Sequence, residues 1–372
     1  MCPVRGVPSV SAMTTTEIFA PERTDALVER LFDATVGTLE LYSVYLGRRL
    51  GLYPALHEPA TAGELAAAAG LDARYAREWL EQQAVAGFLD VDDVAADPAE
   101  RRYRLPAEYV GVLADPHDSA HLAPFASMLV GIAGALPDVV EAYRTGAGVP
   151  YKRYGPDFVH GQGAINAPAF RHELADWVAA VPGAVQRLGQ IGARVADVGC
   201  GVGASTTALA RAFPAADVDG IDLDRASVAA ARAAVEPELR ERVRILEGDA
   251  VDLSATGPYD LVFVFEALHD MAQPVAALAG CRAALAPGGS VLLADERVAE
   301  AFTAPGGAVE RMMFGWSVTH CLPASREQQP SAALGTALRP ATVGELAAEA
   351  GFGRCTELAI ENEFFRFYHL VP

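Results

Sequence analysis

The sequence predicts an α/β fold in which a parallel sheet follows an N-terminal all-helical or winged-helix domain. Two observations support this prediction. From residue 194 onward, short apolar runs alternate with helical segments, which is the pattern of successive βαβ units. Before that point, residues 24–190 place apolar side chains mainly at helical spacing. A chain of 372 residues is also longer than one ordinary core, so we expect two domains.

Composition and charge argue against several functional classes. Hydrophobic residues make up 51% of the chain and charged residues 21%, as in ordinary globular proteins. We find neither an apolar stretch long enough to span a membrane nor a secretory signal, and residues 1–20 resemble a disordered lead-in. These features predict a cytoplasmic protein with no membrane partner. The formal net charge of −19 repels polyanions, which argues against nucleic acid as a partner.

The five cysteines are scattered, and none belongs to a C-x-x-C pair. An odd number without paired spacing argues against a disulfide framework and against a zinc cluster. We therefore expect buried or incidental thiols in a reducing compartment.

Residues 21–115 are predicted to form a winged-helix dimerisation domain. Apolar spacing predicts a long helix from about Thr24 to Gly51. Thr61 and Glu64 can form a capping box at the start of a second helix, and Asp72 can cap a third. The segments FLDVDD and RRYRLP then predict a small β-hairpin. Acidic side chains outnumber basic ones in this stretch, so a packing or dimerisation role is favoured over DNA binding.

Residues 116–190 are predicted to be a helical connector that also covers the substrate. Their helical pattern is interrupted by GAGVPYKRYGPDFVHGQGAINAPAF, a segment rich in Gly, Pro and aromatic residues. Loops that carry aromatic rings often cover ligands, so Tyr151, Tyr154 and Phe158 are candidate substrate contacts. Burial of the same rings in the core, beneath a surface connection, is the alternative on sequence alone.

A glycine-rich loop directly follows the first predicted strand of the α/β region, RVADV. Gly199, Gly201 and Gly203 occupy every second position, and a helix begins at once after them. Glycines permit positive φ angles and a close approach of the backbone to a ligand at the helix start. Asp222 ends the second predicted strand nineteen positions after Gly203, where its carboxylate can accept both hydroxyls of an adenosine ribose.

The third and fourth predicted strands end in further polar candidates. VRILEGDA ends in Asp249 and Ala250, where an acid can accept from an adenine amino group and a backbone amide can serve a ring nitrogen. YDLVFVFEALHD ends in Phe265 and Glu266, followed by His269. Four strand–helix junctions in the correct order are far more specific than any one of them.

The segments DVGCGVGAS, GIDLD, EGDA, FVFEALHD and LAPGGSVLLADE resemble the successive motifs of class I S-adenosylmethionine-dependent methyltransferases. RCTELAI and EFFRFYHLV resemble the sixth and seventh strands, whose antiparallel pairing marks that class. The resemblance implies a Rossmann-like seven-stranded methyltransferase sheet over residues 191–372. The glycine pattern departs from the G-x-G-x-x-G of dinucleotide-binding domains, which disfavours a dehydrogenase.

With its front domain, the chain resembles actinobacterial and other small-molecule O-methyltransferases that carry a winged-helix dimerisation domain. The resemblance implies S-adenosylmethionine as cofactor, S-adenosylhomocysteine as product, no metal, and a homodimer. It also implies a set of residues that hold the cofactor. These are Asp197, Gly199, Gly201, Gly203, Asp222, Leu223, Asp249, Ala250, Phe265 and Glu266.

His269 is the candidate general base, because histidine suits proton removal from a hydroxyl near neutral pH. His269-Asp270-Met271 resembles the H-D-W segment of plant-type and polyketide O-methyltransferases, with methionine in place of tryptophan. A helix-capping or cofactor-contacting histidine is the alternative. Glu266, near the expected sulfonium, is the second catalytic candidate.

The insertion at residues 297–340 contains MMFGWSVTHCLP, which resembles the helix that walls the substrate pocket in this group. Met312 and Trp316 are therefore either pocket residues or core residues, and His320 is a candidate wall or capping residue. The sequence predicts O-methylation of a small natural product or metabolite. The alternatives are N- or C-methylation, a non-methylating reaction on the same fold, and a DNA-binding regulator.

Overall fold

The computed structural model describes residues 21–372, and the prediction for residues 1–20 lies outside them. The N-terminal domain is a winged helix. Thr61 and Glu64 form the predicted capping box, and Asp72 accepts from two backbone amides at the start of the third helix. The predicted hairpin is present, and a short strand before the second helix joins it as a third strand. The elements are α1 (Pro21–Arg49), β1 (Ala60–Thr61), α2 (Ala62–Ala69), α3 (Ala73–Val85), β2 (Asp90–Val91) and β3 (Arg102–Arg104).

Helix α1 carries large apolar side chains that no other part of residues 21–372 covers. The exposed fractions of five of them lie between 54% and 68%. They are Leu27, Val28, Leu31, Phe32 and Leu39. Exposed apolar faces of this kind are typical of surfaces that bind a partner.

The predicted interruption at residues 146–170 is shorter than expected, because residues 146–150 are non-helical and Tyr151–Tyr154 form a 3₁₀ turn, but an α-helix runs from Gly155 onward. Gly155 and Pro156 start a helix there, with Pro in its first turn. Gly161 lies so close to α5 that a Cβ would come within 2.9 Å of the Met128 side chain. The glycines that indicated a loop therefore serve helix packing. The helices are α4 (Val110–Leu113), α5 (Pro124–Thr145), α6 (Gly155–His172), α7 (Leu174–Ala179) and α8 (Ala184–Leu188).

Helix α5 is long and apolar enough, by length and composition alone, to cross a membrane. The expectation that no stretch reaches that length is therefore wrong for this helix. It packs along α6, and nine of its residues are buried within the protein. Core helices of globular domains pass the same test when charges are few along them.

The C-terminal region is the predicted α/β domain with a seven-stranded sheet. Its strand order is β6-β5-β4-β7-β8-β10-β9, with β4 to β8 parallel and β10 antiparallel to both of its neighbours. The strands are β4 (Ala193–Val198), β5 (Ala216–Asp222), β6 (Val243–Glu247), β7 (Tyr259–Phe265), β8 (Leu285–Glu296), β9 (Arg354–Glu357) and β10 (Phe365–Val371). The order reverses between β4 and β7, where sheets of this type bind ligands at their carboxyl ends.

Helices cover both faces of this sheet and bury two apolar clusters against it. The helices of this region of the chain are α9 (Ala204–Ala212), α10 (Arg225–Ala234), α11 (Pro274–Ala283), α12 (Ala308–Trp316), α13 (Leu322–Ser325) and α14 (Pro340–Glu349). Trp177 of α7 stacks on Phe265 of β7 at 5.5 Å between ring centroids, which joins the helical region to the sheet. A π-helical turn at Ser317–Cys321 links α12 to α13.

Candidate functional site

The glycine loop between β4 and α9 has the backbone conformation that the sequence predicts. Gly199, Gly201 and Gly203 have φ values of 75°, 52° and 84°, which L side chains rarely adopt. A Cβ on Gly199 would also lie 2.5 Å from the Cβ of Ala267, at the end of the adjacent strand. Glycine is therefore required at this position by both conformation and space.

Asp222 joins the ends of the first two strands. Its Oδ2 accepts from the amide of Gly201 and its Oδ1 from the amide of Asp224, both at 2.8 Å. Burial raises the pKa of this carboxyl above its usual value, while the amide donors lower it. Asp249, at the end of β6, accepts from the amide of Val251 at 3.0 Å. Both carboxylates are thus oriented by local backbone donors.

These residues border a cavity of about 460 Å³ at the carboxyl edge of the sheet. That volume falls within the range of small-molecule sites. Eight of the ten predicted cofactor residues line it. They are Gly199, Gly201, Asp222, Leu223, Asp249, Ala250, Phe265 and Glu266. We call Gly199, Gly201, Asp222 and Asp249 the glycine-loop end of the cavity.

The other two predicted cofactor residues, Asp197 and Gly203, do not border the cavity. Asp197 is buried beneath the loop, where it accepts from the hydroxyls of Ser205 at 2.7 Å and Thr206 at 2.5 Å. These bonds hold the first turn of α9 against β4. Burial raises the pKa of Asp197 to about 6. Asp197 supports the loop from below.

Glu266 follows β7 with a φ of 47°, an uncommon value for a residue other than glycine. Its carboxyl accepts from the Asn166 side-chain amide of α6 and lies beside that of Glu296. Burial raises the pKa of both glutamates. For Glu296 the charge of Glu266 raises the pKa further, well above its usual value. Strained backbone of this kind clusters at functional sites.

His269 lies between two carboxylates. Its Nδ1 is 2.9 Å from Asp295 Oδ1, and its Nε2 is 3.5 Å from Asp270 Oδ1. Burial alone would lower the pKa of His269, but Asp295 and Asp270 raise it well above its usual value. His269 is only 2% exposed and does not line the cavity, whereas Asp270 does. Glu266, His269, Asp270, Asp295 and Glu296 are called the acid–histidine cluster below.

Of the three aromatic residues predicted to contact substrate before the sheet, only Tyr151 borders the cavity. Its hydroxyl donates to Gln162 Oε1 at 3.0 Å. Tyr154 and Phe158 are buried in the core of the helical region, with ring centroids 4.4 and 4.1 Å from that of His320. Burial in the core, the alternative given by the sequence, therefore applies to these two rings, which pack against His320 and apolar residues of α5.

The predicted pocket residues of the insertion also lie elsewhere. Trp316 stacks on Phe125 of α5, and Met312 borders a separate surface groove beside α1. His320 is buried, and burial lowers its pKa to about 3, so it stays neutral. The part of the insertion that reaches the cavity comes later in the chain. It comprises Ala324, Ser325, Glu327 and Gln328.

Helix α6 supplies cavity residues that the sequence interpretation missed. Gln162, Gly163 and Asn166 all line the cavity. A Cβ on Gly163 would lie 2.2 Å from Val202 Cγ2, so this glycine lets α6 approach the glycine loop. Gln162 and Asn166 are four positions apart and share one helix face. That spacing would have identified them had this segment been predicted as helix.

Two domain families match the chain. Residues 195–289 match the family described as methyltransferase domain, and residues 39–115 match the Rv2258c-like winged HTH domain. Among curated proteins, the ubiquinone biosynthesis O-methyltransferase of Bordetella avium is 34% identical over 117 residues, which is 31% of this chain and 46% of that protein. That of Psychrobacter arcticus is 38% identical over 109 residues, covering 28% of this chain and 42% of that protein. The chain thus spans less than half the length of these relatives.

Solved structures resemble the chain over nearly its whole length. Mitomycin 7-O-methyltransferase superposes with a TM-score of 0.67 at 20% identity, covering 95% of this chain and 99% of that one. Human N-acetylserotonin methyltransferase in complex with SAM gives 0.67 at 17% identity, covering 96% and 99%. These likenesses show a shared fold. Together with the domain matches, they establish that the chain carries a methyltransferase domain behind a winged helix–turn–helix domain.

Proposed function

We propose that the protein transfers a methyl group from S-adenosylmethionine to an oxygen atom of a small molecule. The proposal rests mainly on one observation. A single cavity joins the glycine-loop end, where Asp222 and Asp249 keep acceptor capacity for a nucleoside, to polar side chains that can receive a second molecule. The names of the solved structures that share this fold include O-methyltransferases of small molecules.

The glycine-loop end suits adenosine and the methionine tail. Asp222 uses one lone pair of each oxygen on backbone amides, so both oxygens retain acceptor capacity for ribose hydroxyls. Asp249 uses only Oδ1 in its hydrogen bond to Val251. The backbone of the glycine loop borders the same space without side chains in the way. S-adenosylmethionine bound there supplies an activated methyl group for a single displacement.

The acceptor hydroxyl must lose its proton as the new bond forms. A protonated His269 cannot accept it, and His269 is buried behind Asp270. Asp270 is the member of the pair that faces the cavity, and burial raises its pKa, which makes it a stronger base than an ordinary aspartate. We therefore assign the proton-accepting role to the His269–Asp270 pair, with Asp295 orienting the imidazole. This keeps His269 in the mechanism as the sequence predicts, but acting through its neighbour.

The exposed apolar face of α1 supports a homodimer. Phe32 is 68% exposed at the centre of that face, and large exposed apolar patches mark association surfaces. We expect a dimeric mass by light scattering, lost in Phe32→Glu. Tyr75→Glu is the control, because it changes a ring that is 80% exposed on α3 rather than on α1, and it should leave the dimer intact. A monomeric wild-type protein would refute the homodimer.

We propose that the winged-helix domain serves protein packing or dimerisation and does not bind DNA. Four of the five arginines between residues 61 and 105 pair with carboxylates of the same domain. They are Arg74, Arg101, Arg102 and Arg104. Such arginines are not free for phosphate contacts. The four cysteines of residues 21–372 are unpaired, which agrees with a cytoplasmic location.

Calorimetric titration with S-adenosylhomocysteine tests the cofactor site directly. Asp222→Ala removes two oriented acceptor oxygens and should weaken binding at least about 100-fold, since a hydrogen bond to a charged group contributes roughly 1.5–3 kcal/mol. Asp252→Ala is the matched control, because Asp252 is exposed and does not line the cavity. Absence of binding by the wild-type protein would overturn the cofactor assignment.

Product analysis then separates the chemical alternatives. A mass gain of one methyl group supports methyl transfer, and the position of the new group by NMR distinguishes oxygen from nitrogen or carbon acceptors. Substrate turnover without that gain would show that the fold performs a different reaction.

A further inference from the structure

Lys152 is the only lysine in the chain, although lysine and arginine together number 29. It lies in the 3₁₀ turn at Tyr151–Tyr154, between α5 and α6. Its side chain borders the cavity, and within residues 21–372 no other lysine, arginine or histidine does so. Lys152 is thus the one described residue that can offer a positive charge to a molecule bound there.

The backbone around Lys152 is held on both sides. Before it, the amide of Tyr151 donates to Glu327 Oε2 at 3.1 Å. After it, Tyr154 is only 1% exposed, and its hydroxyl donates to the carbonyl oxygen of Thr319 at 3.1 Å. The turn therefore presents the lysine side chain from a fixed position.

The ammonium group of Lys152 has no partner among residues 21–372. It is exposed, and no carboxylate of the described chain lies within ion-pair distance of it. The neighbouring Arg153 differs, because its guanidinium pairs with Asp138 at 2.6 Å and does not line the cavity. Lys152 therefore keeps its donors for a molecule that enters the cavity.

Gln162 adds a second donor near this turn. Its Oε1 accepts from the Tyr151 hydroxyl at 3.0 Å, so the acceptor end of the amide is already engaged. Its Nε2 has no hydrogen-bond partner within the described residues, and the side chain lines the cavity. An ammonium group and an amide nitrogen are both donors, which suits a carboxylate or another anionic oxygen.

Tyr151 connects this donor pair to the proton-accepting end of the cavity. Burial raises the pKa of its hydroxyl well above the usual value, and the charges of Asp222 and Asp270 raise it further. Coulomb interactions weaken with distance, so the Tyr151 hydroxyl and the Asp270 carboxylate share one part of the cavity. The donors and the proton acceptor are therefore open to the same bound molecule.

The cofactor has a carboxylate of its own, but the glycine-loop end offers separate donors for it. Helix α9 begins at Ala204 without a side-chain cap, and Ala204 and Ser205 border the cavity. The first amides of such a helix have no intrahelical acceptor and favour an anion. Lys152 lies outside that loop, on the turn before α6, and remains for a second molecule.

We propose that Lys152 and Gln162 bind an anionic oxygen of the methyl acceptor, so that the substrates are small hydroxy acids rather than neutral alcohols or phenols. This inference rests on the proposed methyl transfer. Asp270 and other carboxylates border the cavity and would repel an acid that lacked a cationic partner. The single lysine supplies that partner, and the hydroxyl of the same molecule remains for Asp270.

Because the chain has one lysine, its side chain can be observed by NMR without interference from others. Reductive methylation with ¹³C-formaldehyde converts it to a dimethylammonium group that keeps its charge. The signal of the N-terminal amine is identified in Lys152→Met, which lacks the lysine signal. We expect salicylate or para-hydroxybenzoate to shift the lysine signal in the S-adenosylhomocysteine complex, whereas their neutral methyl esters should not shift it.

Calorimetry of the unmodified protein measures the contribution of the charge. Lys152→Met should weaken binding of the hydroxy acid about 10-fold, since a charge-assisted hydrogen bond is lost. Lys152→Arg should retain most of the affinity. Arg153→Met is the matched control, because it removes the adjacent cation that does not line the cavity.

A lysine signal that no hydroxy acid shifts, or that the esters shift equally, would overturn the proposal and leave Lys152 as a rim residue beside Glu327. S-adenosylhomocysteine and methylthioadenosine, which lacks the amino-acid tail, distinguish the two carboxylates. If Lys152→Met weakens only S-adenosylhomocysteine binding, the lysine serves the cofactor and the acceptor site is refuted. Hydroxy-acid binding at Lys152 without S-adenosylhomocysteine binding supports the anion site and refutes the proposed methyl transfer.

Discussion

The two ends of the cavity are built in opposite ways. At the glycine-loop end, Asp222 and Asp249 accept from backbone amides no more than 21 positions away. In the acid–histidine cluster, Glu266 accepts a hydrogen bond from Asn166, 100 positions earlier in the chain. His269 is hydrogen-bonded to Asp295 on the next strand. The first end is satisfied by local backbone, whereas the second depends on side chains that only the folded chain brings together.

This difference predicts that substitutions at the glycine-loop end affect mainly ligand binding, whereas substitutions in the acid–histidine cluster affect mainly stability. Carboxylates with amide donors near the surface of the cavity can be removed without leaving a buried charge behind. The cluster instead holds several carboxyl groups around one imidazole, and two of its unpartnered oxygens belong to Asp295 and Glu296. Loss of the imidazole should therefore disturb folding, while loss of Asp222 should disturb ligand binding.

The largest effect on stability is expected for His269→Ala. The change leaves Asp270 and Asp295 without their positive partner in the core, which typically costs about 3–5 kcal/mol of unfolding free energy. Asp222→Ala should cost less than about 1 kcal/mol despite its effect on binding, because it leaves no buried charge without a partner. Urea denaturation of both variants measures the contrast. Equal losses of unfolding free energy in His269→Ala and Asp222→Ala would contradict the expected difference between the two ends of the cavity.

A smaller effect on the unfolding free energy is expected from the ionisation of Asp197, which lies beneath the glycine loop. Its pKa is raised from 3.8 to about 6 in the folded protein. The folded chain therefore keeps a proton that the unfolded chain has released, so stability falls as pH rises through this window. The fall amounts to at most about 3 kcal/mol, because each unit of pKa corresponds to roughly 1.4 kcal/mol.

Asp197→Asn cannot ionise and should lack this fall. The measurement is the difference in unfolding free energy between wild type and variant from about pH 4 to pH 7, in which contributions of other groups cancel. A difference that stays constant across that range would show that Asp197 ionises normally in the folded protein.

The smallest effect is expected for Glu296→Gln. Burial and the charge of Glu266 raise the pKa of Glu296 well above its usual value, which favours the uncharged form of its carboxyl. Glutamine has nearly the same shape and no charge, so the unfolding free energy should change by less than about 1 kcal/mol.

The difference in unfolding free energy between the wild type and Glu296→Gln should grow in alkaline solution. A raised folded pKa means that wild-type stability declines as pH rises through it, and glutamine removes that decline. Thermal unfolding at neutral and alkaline pH tests the sign. A variant that loses stability relative to the wild type as pH rises would contradict it.

Much of the fold and the glycine-loop end could be predicted from the sequence, because the signals are local. The strand–helix alternation, the three glycines and the acids at two strand ends all lie within a few residues of the structures they form. The same local reading failed for helix α6, where Gly161 and Gly163 were interpreted as loop residues. Their small size matters only because Met128 and Val202 approach them, and those contacts are absent from the local sequence.

The sequence by itself determined the sheet, the positive-φ loop and the placement of Asp222 and Asp249 at its edge. Only the tertiary structure decided which side chains share the inner end of the cavity. No local pattern links residues 269–270 to residue 321, yet folding places Cys321 beside His269 and Asp270. The physical reason is that backbone conformation follows from neighbours along the chain, whereas the charge balance and ligand set of a buried site follow from neighbours in space.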